Sequence, residues 1–342
     1  MTENQKGKTV LVTGAAGFIG AALSAAFLKD GRTERVIGLD NLNDYYDPAL
    51  KRKRLELLSD PGFVFIHGDI TDRDLLARLF ADYHPDIVVH MAAQAGVRYS
   101  LINPDAYIST NITGFHDVLE MCRQYGVRHF VFASSSSVYG DADHYPSAEN
   151  DSTDRPRSLY AATKKADEMI AYAYADMFGI PVTGLRFFTV YGPLGRPDMA
   201  YFSFAEKMRR KEEILLFNHG QCERDFTYID DVVPAIIQVS TSAPEGRTPF
   251  AVYNIGKGKP DILMDFVVIL KEELMRAGVL EKDYDLAAHI RGVDMQPGDV
   301  EITFADTRKL MEAFGYAPET DLRTGLRRFV RWYAGYITDT AE

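Results

Sequence analysis

The sequence predicts an α/β fold: a doubly wound parallel sheet with a smaller C-terminal α/β cap. Three observations lead there. Gly14, Gly17 and Gly20 close an apolar run and open a helical pattern. Strand and helix patterns then alternate to about residue 190. Their strands are apolar almost throughout, as strands covered on both faces must be. Beyond that point Pro, Gly and charged residues break the chain into shorter elements. We therefore divide it into 1–190, the sheet with its helices, and 191–342, mainly cap, with the chain crossing between the two.

Each element has its own signal. Residues 10–13 (Val-Leu-Val-Thr) read as the first strand, and the alanine-rich stretch to about residue 30 as the first helix. Residues 36–40 form a second strand ending in Asp40. A polar, tyrosine-bearing loop (41–48) and a short basic helix (50–58) follow. The third strand, 63–67, runs into Gly68-Asp69-Ile70. Residues 72–83 are helical and 86–90 form strand four. Residues 104–125 read as one long amphipathic helix, with Ile108, Ile112, Phe115, Val118, Leu119 and Cys122 recurring at helical spacing. Strand five (129–134), a second long helix (157–178) and strand six (181–186) complete the alternation. The looser remainder holds a helix (202–211), a strand (214–217), a strand running into a helix (227–238) and a helix (266–277). Sites in such sheets lie at the carboxyl ends of the strands. Asp40, Asp69, residues 92–98, Ser134 to Ser137 and Arg186 all fall there.

The chain has 342 residues, 46% of them apolar, which is ample for a core. A net charge of −11 argues against nucleic acid or an anionic membrane as the main partner. Cys122 and Cys222 are too few for a disulfide framework, and neither has metal-ligand company. The apolar stretch 262–270 is broken by Asp265 and is too short to span a bilayer. No signal peptide is expected, since only a few polar residues precede the first strand. These features predict a soluble cytoplasmic protein.

The glycine turn carries the first chemistry. Glycine lets a pyrophosphate approach the backbone, and the following helix offers it free N–H groups and a partial positive charge. Asp40 stands about 20 residues beyond the turn, where a carboxylate accepts hydrogen bonds from ribose hydroxyls and repels a 2′-phosphate. Against an ordinary βα turn with Asp40 merely capping a loop, the two together predict a dinucleotide-binding turn of the Rossmann type, with NAD favoured over NADP. Tyr160 and Lys164 share one helical face. A phenol ordinarily ionises near pH 10, and an adjacent ammonium favours the phenolate, so the pair suits proton abstraction. Four consecutive serines, Ser134 to Ser137, leave a buried strand. That is costly unless some of them bind something.

Taken together, these motifs resemble the extended short-chain dehydrogenases/reductases. Segments 224–231 (Arg-Asp-Phe-Thr-Tyr-Ile-Asp-Asp) and 296–300 (Gln-Pro-Gly-Asp-Val) resemble cap segments of the nucleotide-sugar branch. Segments 39–47, 92–100 and 186–200 are similar to those of the UDP-glucuronate 4-epimerases, and Gly-Arg-Pro-Asp-Met-Ala at 195–200 is the most specific part. The resemblance implies NAD as cofactor and a UDP-uronate as substrate. In it, Phe18 and Ile19 meet the pyrophosphate beside Gly14, Gly17 and Gly20, Asp69 and Ile70 flank adenine, and Phe187 lies near the nicotinamide. Asp40, Asn41, Met91, Ala92 and Asn111 join the cofactor set. Tyr160 is the implied base, Lys164 holds the ribose and tunes it, and Ser135 and Ser137 orient the sugar hydroxyl. Arg196 faces the substrate carboxylate and Arg224 the diphosphate. Gln94, Arg98, Ser136, Thr189, Met199, Gln296 and Asp299 complete the substrate set, and no metal is implied.

The resemblance also implies a homodimer through helices 104–125 and 157–178, and a place in polysaccharide precursor supply. Rival readings are a UDP-glucose/UDP-galactose-type 4-epimerase, a UDP-glucuronate decarboxylase, a 4,6-dehydratase and a non-catalytic NAD-binding sensor. The decarboxylases and dehydratases carry acidic residues before the Val-Tyr-Gly, where this chain has Ser136-Ser137. A sensor would be expected to have lost Tyr160 or Lys164.

Overall fold

The computed structural model describes residues 7–142, 144–295 and 300–339. Its centre is a seven-stranded sheet. In chain order the first part comprises β1 (Lys8–Thr13), α1 (Phe18–Lys29), β2 (Thr33–Asp40), α2 (Pro48–Glu56), β3 (Phe63–His67), α3 (Arg73–Tyr83) and β4 (Ile87–His90). It continues with α4 (Pro104–Tyr107), α5 (Phe115–Tyr125), β5 (His129–Ser135), α6 (Leu159–Phe178) and β6 (Val182–Phe187). The strand order is β3-β2-β1-β4-β5-β6, closed by an outer strand from far along the chain, β11 (Phe250–Ile255). Every pairing is parallel. The order reverses between β1 and β4, which opens a crevice at their carboxyl ends.

Alternation along the strands builds two cores. Val10 and Val12 point to one face, where they join Leu23 and Phe27 of α1 and Ile229, Val232 and Ile236 of α8 (Ile229–Ser240). Leu11 points to the other, with Phe80 of α3, Phe115 and Val118 of α5, and Phe130 and Phe132 of β5. The first core runs on into the C-terminal half through Tyr201, Phe202, Phe329 and Tyr333. These belong to α7 (Ala200–Arg209) and α11 (Leu322–Asp339). The remaining elements include β8 (Ile214–Phe217), β9 (Glu223–Arg224), α9 (Leu263–Arg276) and α10 (Arg308–Phe314), and small sheets join the strands; one pairs β7 (Thr189–Tyr191) in parallel with β10 (Phe226–Tyr228). Among the described residues no helix is long and apolar enough to cross a membrane.

Beyond the late elements that the sequence reading did not resolve, α11 among them, two features depart from it. The helix expected over 104–125 contains a π-helical stretch, Ile108–Gly114, between α4 and α5. The wider turn carries Asn111, which is buried, and its side chain ties down the loop after β4: Gln94 N donates to Asn111 Oδ1 (2.8 Å), and Asn111 Nδ2 donates to Gln94 O (3.1 Å). π-turns of this kind recur where a helix must aim a side chain at a site. The second departure is β11, whose short apolar run gave no clear strand signal.

Candidate active site

The crevice at the switch point is a cleft of about 440 Å³. Its floor is the glycine turn. Gly14 has φ +69° and lies so close to the loop after β4 that a methyl there would sit 2.7 Å from Ala92 N. Gly17 is the N-cap of α1 and no side chain caps that helix, so its first N–H groups face the cleft. Asp40 accepts from Ala16 N (3.0 Å) and Leu42 N (2.8 Å), which fixes its carboxylate at the rim while leaving lone pairs toward the cleft. Close backbone approach, free helix N–H groups and a rim carboxylate fit the pyrophosphate and ribose of a dinucleotide. Phe18, Ile19, Gly20, Asn41, Ile70, Met91 and Ala92 line the same wall. Asp69 stands behind it, accepting from Asn41 Nδ2 (2.7 Å), Thr71 N (2.9 Å) and Thr71 Oγ1 (2.8 Å). Burial pushes the Asp69 carboxyl up, but these donors outweigh it and hold it below its ordinary range.

The opposite wall carries the hydroxyls. Ser158 caps α6 by accepting from Ala161 N (3.1 Å), which sets Tyr160 in the first turn and Lys164 one turn on, both facing the cleft. The Tyr160 ring packs edge-on against Tyr107 at 6.1 Å. Lys164 is 2% exposed and donates to Asp167 Oδ2 at 3.2 Å. Burial lifts the Asp167 carboxyl to about 7 although Lys164 opposes it. The Lys164 charge is also felt by His90, whose imidazole is pushed down to about 3, first by burial and then by that ammonium.

Ser135, Ser136 and Ser137 line the cleft with Phe187 and Thr189. Ser134 borders the cleft too, but its hydroxyl is committed behind it: Ser134 Oγ donates to Glu168 Oε1 (2.6 Å). Glu168 holds Arg186 through two 2.8 Å bonds, and Arg186 also donates to Tyr139 OH (3.0 Å). Arg186, at the end of β6, therefore braces the serine strand from behind.

Arg196 and Met199 complete the cleft beside Gln94. Arg196 pairs with Asp198 through Nε–Oδ1 (3.0 Å) and Nη2–Oδ2 (2.5 Å). Burial works against the Arg196 charge, but Asp198, with smaller help from Tyr45 and Tyr160, drives its guanidinium above the ordinary value. Asp198 in turn accepts from Tyr45 OH at 3.1 Å. Arg224 lies in an adjoining chamber of about 170 Å³ that shares Ser136, Ser137 and Thr189 with the cleft. It donates to the carbonyls of Glu223, Val300 and Glu301. Arg98 stacks over the Phe217 ring at 4.3 Å and is not part of the cleft lining. Gln296 and Asp299 lie outside the described residues.

The sequence reading missed Tyr45, Tyr46, Lys51 and Thr110 of the lining, and Asp198 behind Arg196. Segments 39–47 and 195–200 contain most of them, but nothing in a linear motif shows that two stretches so far apart close on each other.

Residues 10–256 match the model of the NAD dependent epimerase/dehydratase family. The chain belongs to this family. Within it, the chain is 46% identical to UDP-glucuronate 4-epimerase 4 of Arabidopsis thaliana, over 98% of this chain and 78% of that one. Its fold superposes, with a TM-score of 0.85, on a UDP-glucuronic acid 4-epimerase from Bacillus cereus solved with UDP-glucuronic acid and NAD. That pair is 32% identical and covers 96% and 99% of the two chains. It is equally similar in fold, TM-score 0.85 at 29% identity over 96% and 97%, to DesIV, a dTDP-glucose 4,6-dehydratase from Streptomyces venezuelae solved with NAD. Fold alone therefore does not choose between family reactions; the side chains in the cleft do.

Proposed function

We propose that this NAD-dependent isomerase interconverts UDP-glucuronate and UDP-galacturonate by inverting C4 through a 4-keto sugar. The observation that carries the reading is the placement of Arg196 in the cleft that Tyr160, Lys164 and the serines line, near enough to Tyr160 for their charges to interact. A cation there suits a C6 carboxylate and is superfluous for a neutral hexose. Asp40, at the cofactor rim, is the one carboxylate among the described residues lining the cleft. Acid–base help for eliminating water, or for a decarboxylase glutamate's role, is thus missing at Ser136 and Ser137.

The glycine turn and Asp40 would hold NAD, which would supply a reversible hydride acceptor at C4. The chain's own groups do the rest. Tyr160 takes the proton from O4 as the ketone forms, with the Lys164 ammonium stabilising the phenolate, and gives it back to O4 when the ketone is reduced on its other face. Ser135 and Ser137 hold that oxygen. Arg224, with Gln296 and Asp299, anchors the nucleotide diphosphate while the sugar turns over. A 4-keto uronate is a β-keto acid, and it loses CO2 when the C5–C6 bond aligns with the carbonyl π system. Arg196 and Thr189 restrain the carboxylate out of that alignment. We further infer a homodimer through α5 and α6, supported by the exposed Met169, Tyr172, Met177 and Phe178 on α6.

An NMR time course with UDP-glucuronate, with and without added NAD, tests the reading. The expected result is UDP-galacturonate, reaching the same mixture from either sugar. A UDP-pentose or 4-keto pentose would establish decarboxylation instead. Turnover of UDP-glucose alone would overturn the carboxylate assignment.

A further inference from the structure

Apart from Asn41, the tyrosine-bearing loop and the basic helix after it have no role in the reaction described so far. Arg54 ends the run Lys51-Arg-Lys-Arg54 of the basic helix, yet it is 1% exposed. Its guanidinium donates from Nε to Leu194 O (2.8 Å) and from Nη2 to Gly195 O (3.0 Å). From Nη1 it donates to Ala16 O (3.0 Å) and Tyr46 OH (2.6 Å). Four of its five N–H directions are thus engaged. Two of the acceptors are the carbonyls just before Arg196, and a third belongs to the glycine turn. Leu194 has φ +59°, a left-handed conformation that a side-chain-bearing residue keeps only when its surroundings impose it.

The other end of the same loop is held from the same stretch of chain. Tyr45 OH donates to Asp198 Oδ2, and Asp198 occupies the Nε/Nη2 edge of Arg196. The Tyr45 ring is braced against Tyr99 at 4.8 Å, and its hydroxyl lies against Gly96, whose φ of +101° disfavours a side chain there. With one edge of the fork taken, the Nη1 edge of Arg196 has no protein acceptor among the described residues. A planar fork fixed along one edge presents the other in a set direction, which a flexible ammonium would not do.

We propose that Arg54 and Tyr45 are positioning residues for Arg196, clamping loop 194–198 at both ends so that its open edge meets the sugar carboxylate. Neither touches the reacting atoms. The clamp rests on the uronate reading above, and it makes segment 45–54 a determinant of specificity for acidic over neutral sugars.

The test measures binding of UDP-glucuronate, UDP-glucose and UDP by calorimetry in NAD-loaded Tyr160→Phe protein, where turnover is blocked. Arg54→Lys keeps the charge but cannot reach three carbonyls. It should weaken UDP-glucuronate about ten- to hundredfold, the range for a misaligned charge-assisted hydrogen bond, while UDP and UDP-glucose stay within about twofold. In an Arg196→Ala background the same substitution should change nothing further. Equal losses for all three ligands, or additive effects with Arg196→Ala, would overturn the clamp. Tyr45→Phe, which alters a half-buried side chain, should show the same selective loss at about threefold. If Arg54→Lys does not fold, absence of that loss in Tyr45→Phe overturns the proposal by itself. If the parent protein binds UDP-glucuronate no better than UDP-glucose, the proposed substrate fails and takes the clamp's role with it. A parent that prefers the uronate beside variants that keep the preference refutes the clamp alone.

Discussion

Gly20 faces back onto the turn that precedes it. A methyl on its Cα would lie 2.1 Å from Gly14 O and 2.9 Å from the Gly14 carbonyl carbon. Both obstacles are backbone, so Gly20→Ala must push the first turn of α1 away. Relief to ordinary contact near 3.4 Å needs a shift of about 1.3 Å. A shift of that size carries the N–H groups of Phe18 and Ile19 out of hydrogen-bond range of a pyrophosphate. Losing two charge-assisted bonds of about 1.5–3 kcal/mol each weakens NAD by roughly 10²- to 10⁴-fold. Overpacking itself costs about 1–3 kcal/mol of stability. Gly126→Ala is the control: Gly126 has φ +66° with nothing within 4 Å, so it strains the backbone at the end of α5 without touching the cleft. It should lose about 1–2 kcal/mol of stability and keep NAD affinity. The assay is the rise in Tm with NAD concentration, which reports affinity by mass action. NAD affinity within threefold of wild type in folded Gly20→Ala would refute the idea that the fit of helix against turn sets the phosphate cradle.

Tyr160, Glu168 and His129 each give a further outcome. Tyr160→Phe should lower turnover about 10²- to 10⁴-fold while NAD and UDP-sugar still bind; residual activity near wild type would remove Tyr160 from the chemistry. Glu168→Ala leaves the buried Arg186 cation without its carboxylate and should cost about 3–5 kcal/mol. For 342 residues that is a Tm loss of about 4–7 °C by calorimetry, and a drop under 1 °C would contradict the bracing role. His129 is buried between Ser240 O and Thr183 Oγ1, and burial pushes its imidazole down to about 4. Its unfolded value is near 6.5, so the unfolded chain binds the extra proton between these values. The stability this site contributes is complete above pH 6.5 and is lost as pH falls toward 4, by roughly 3 kcal/mol. Denaturant midpoints at pH 7 and 4.5 should therefore differ less in His129→Gln, and an unchanged difference would refute the assignment.

The strands and the glycine turn were legible because each is a local pattern: an apolar run, then residues whose lack of a side chain the backbone requires. Tyr160 and Lys164 were legible because one helical turn fixes their spacing. What escaped depends on contacts between distant stretches. Arg54 looks solvated in a basic run, and only the folded chain brings three carbonyls to it. Arg186 sits at a strand end, as sites do, but its partner Glu168 draws it behind the serines. Arg98 carries the charge wanted in a substrate pocket, yet its guanidinium lies on Phe217. The π-turn at Asn111 is invisible to a periodicity of 3.6: Ile108 stands at helical spacing from Ile112 and Phe115 in the sequence, yet in the fold it is exposed while Phe115, Val118, Leu119 and Cys122 are buried.

The late arrival of β11 bears on how the protein is made. The strand that pairs with β6 begins at Phe250, after the whole stretch carrying Arg196 and Arg224. During synthesis at about 5–20 residues per second, β6 would wait some seconds as an open, apolar edge before its neighbour emerges. The nascent sheet is thus finished by residues from beyond the substrate-reading segments. A truncated product ending before Phe250 would expose that edge to other chains, which favours its clearance over its survival as a half-enzyme that binds NAD.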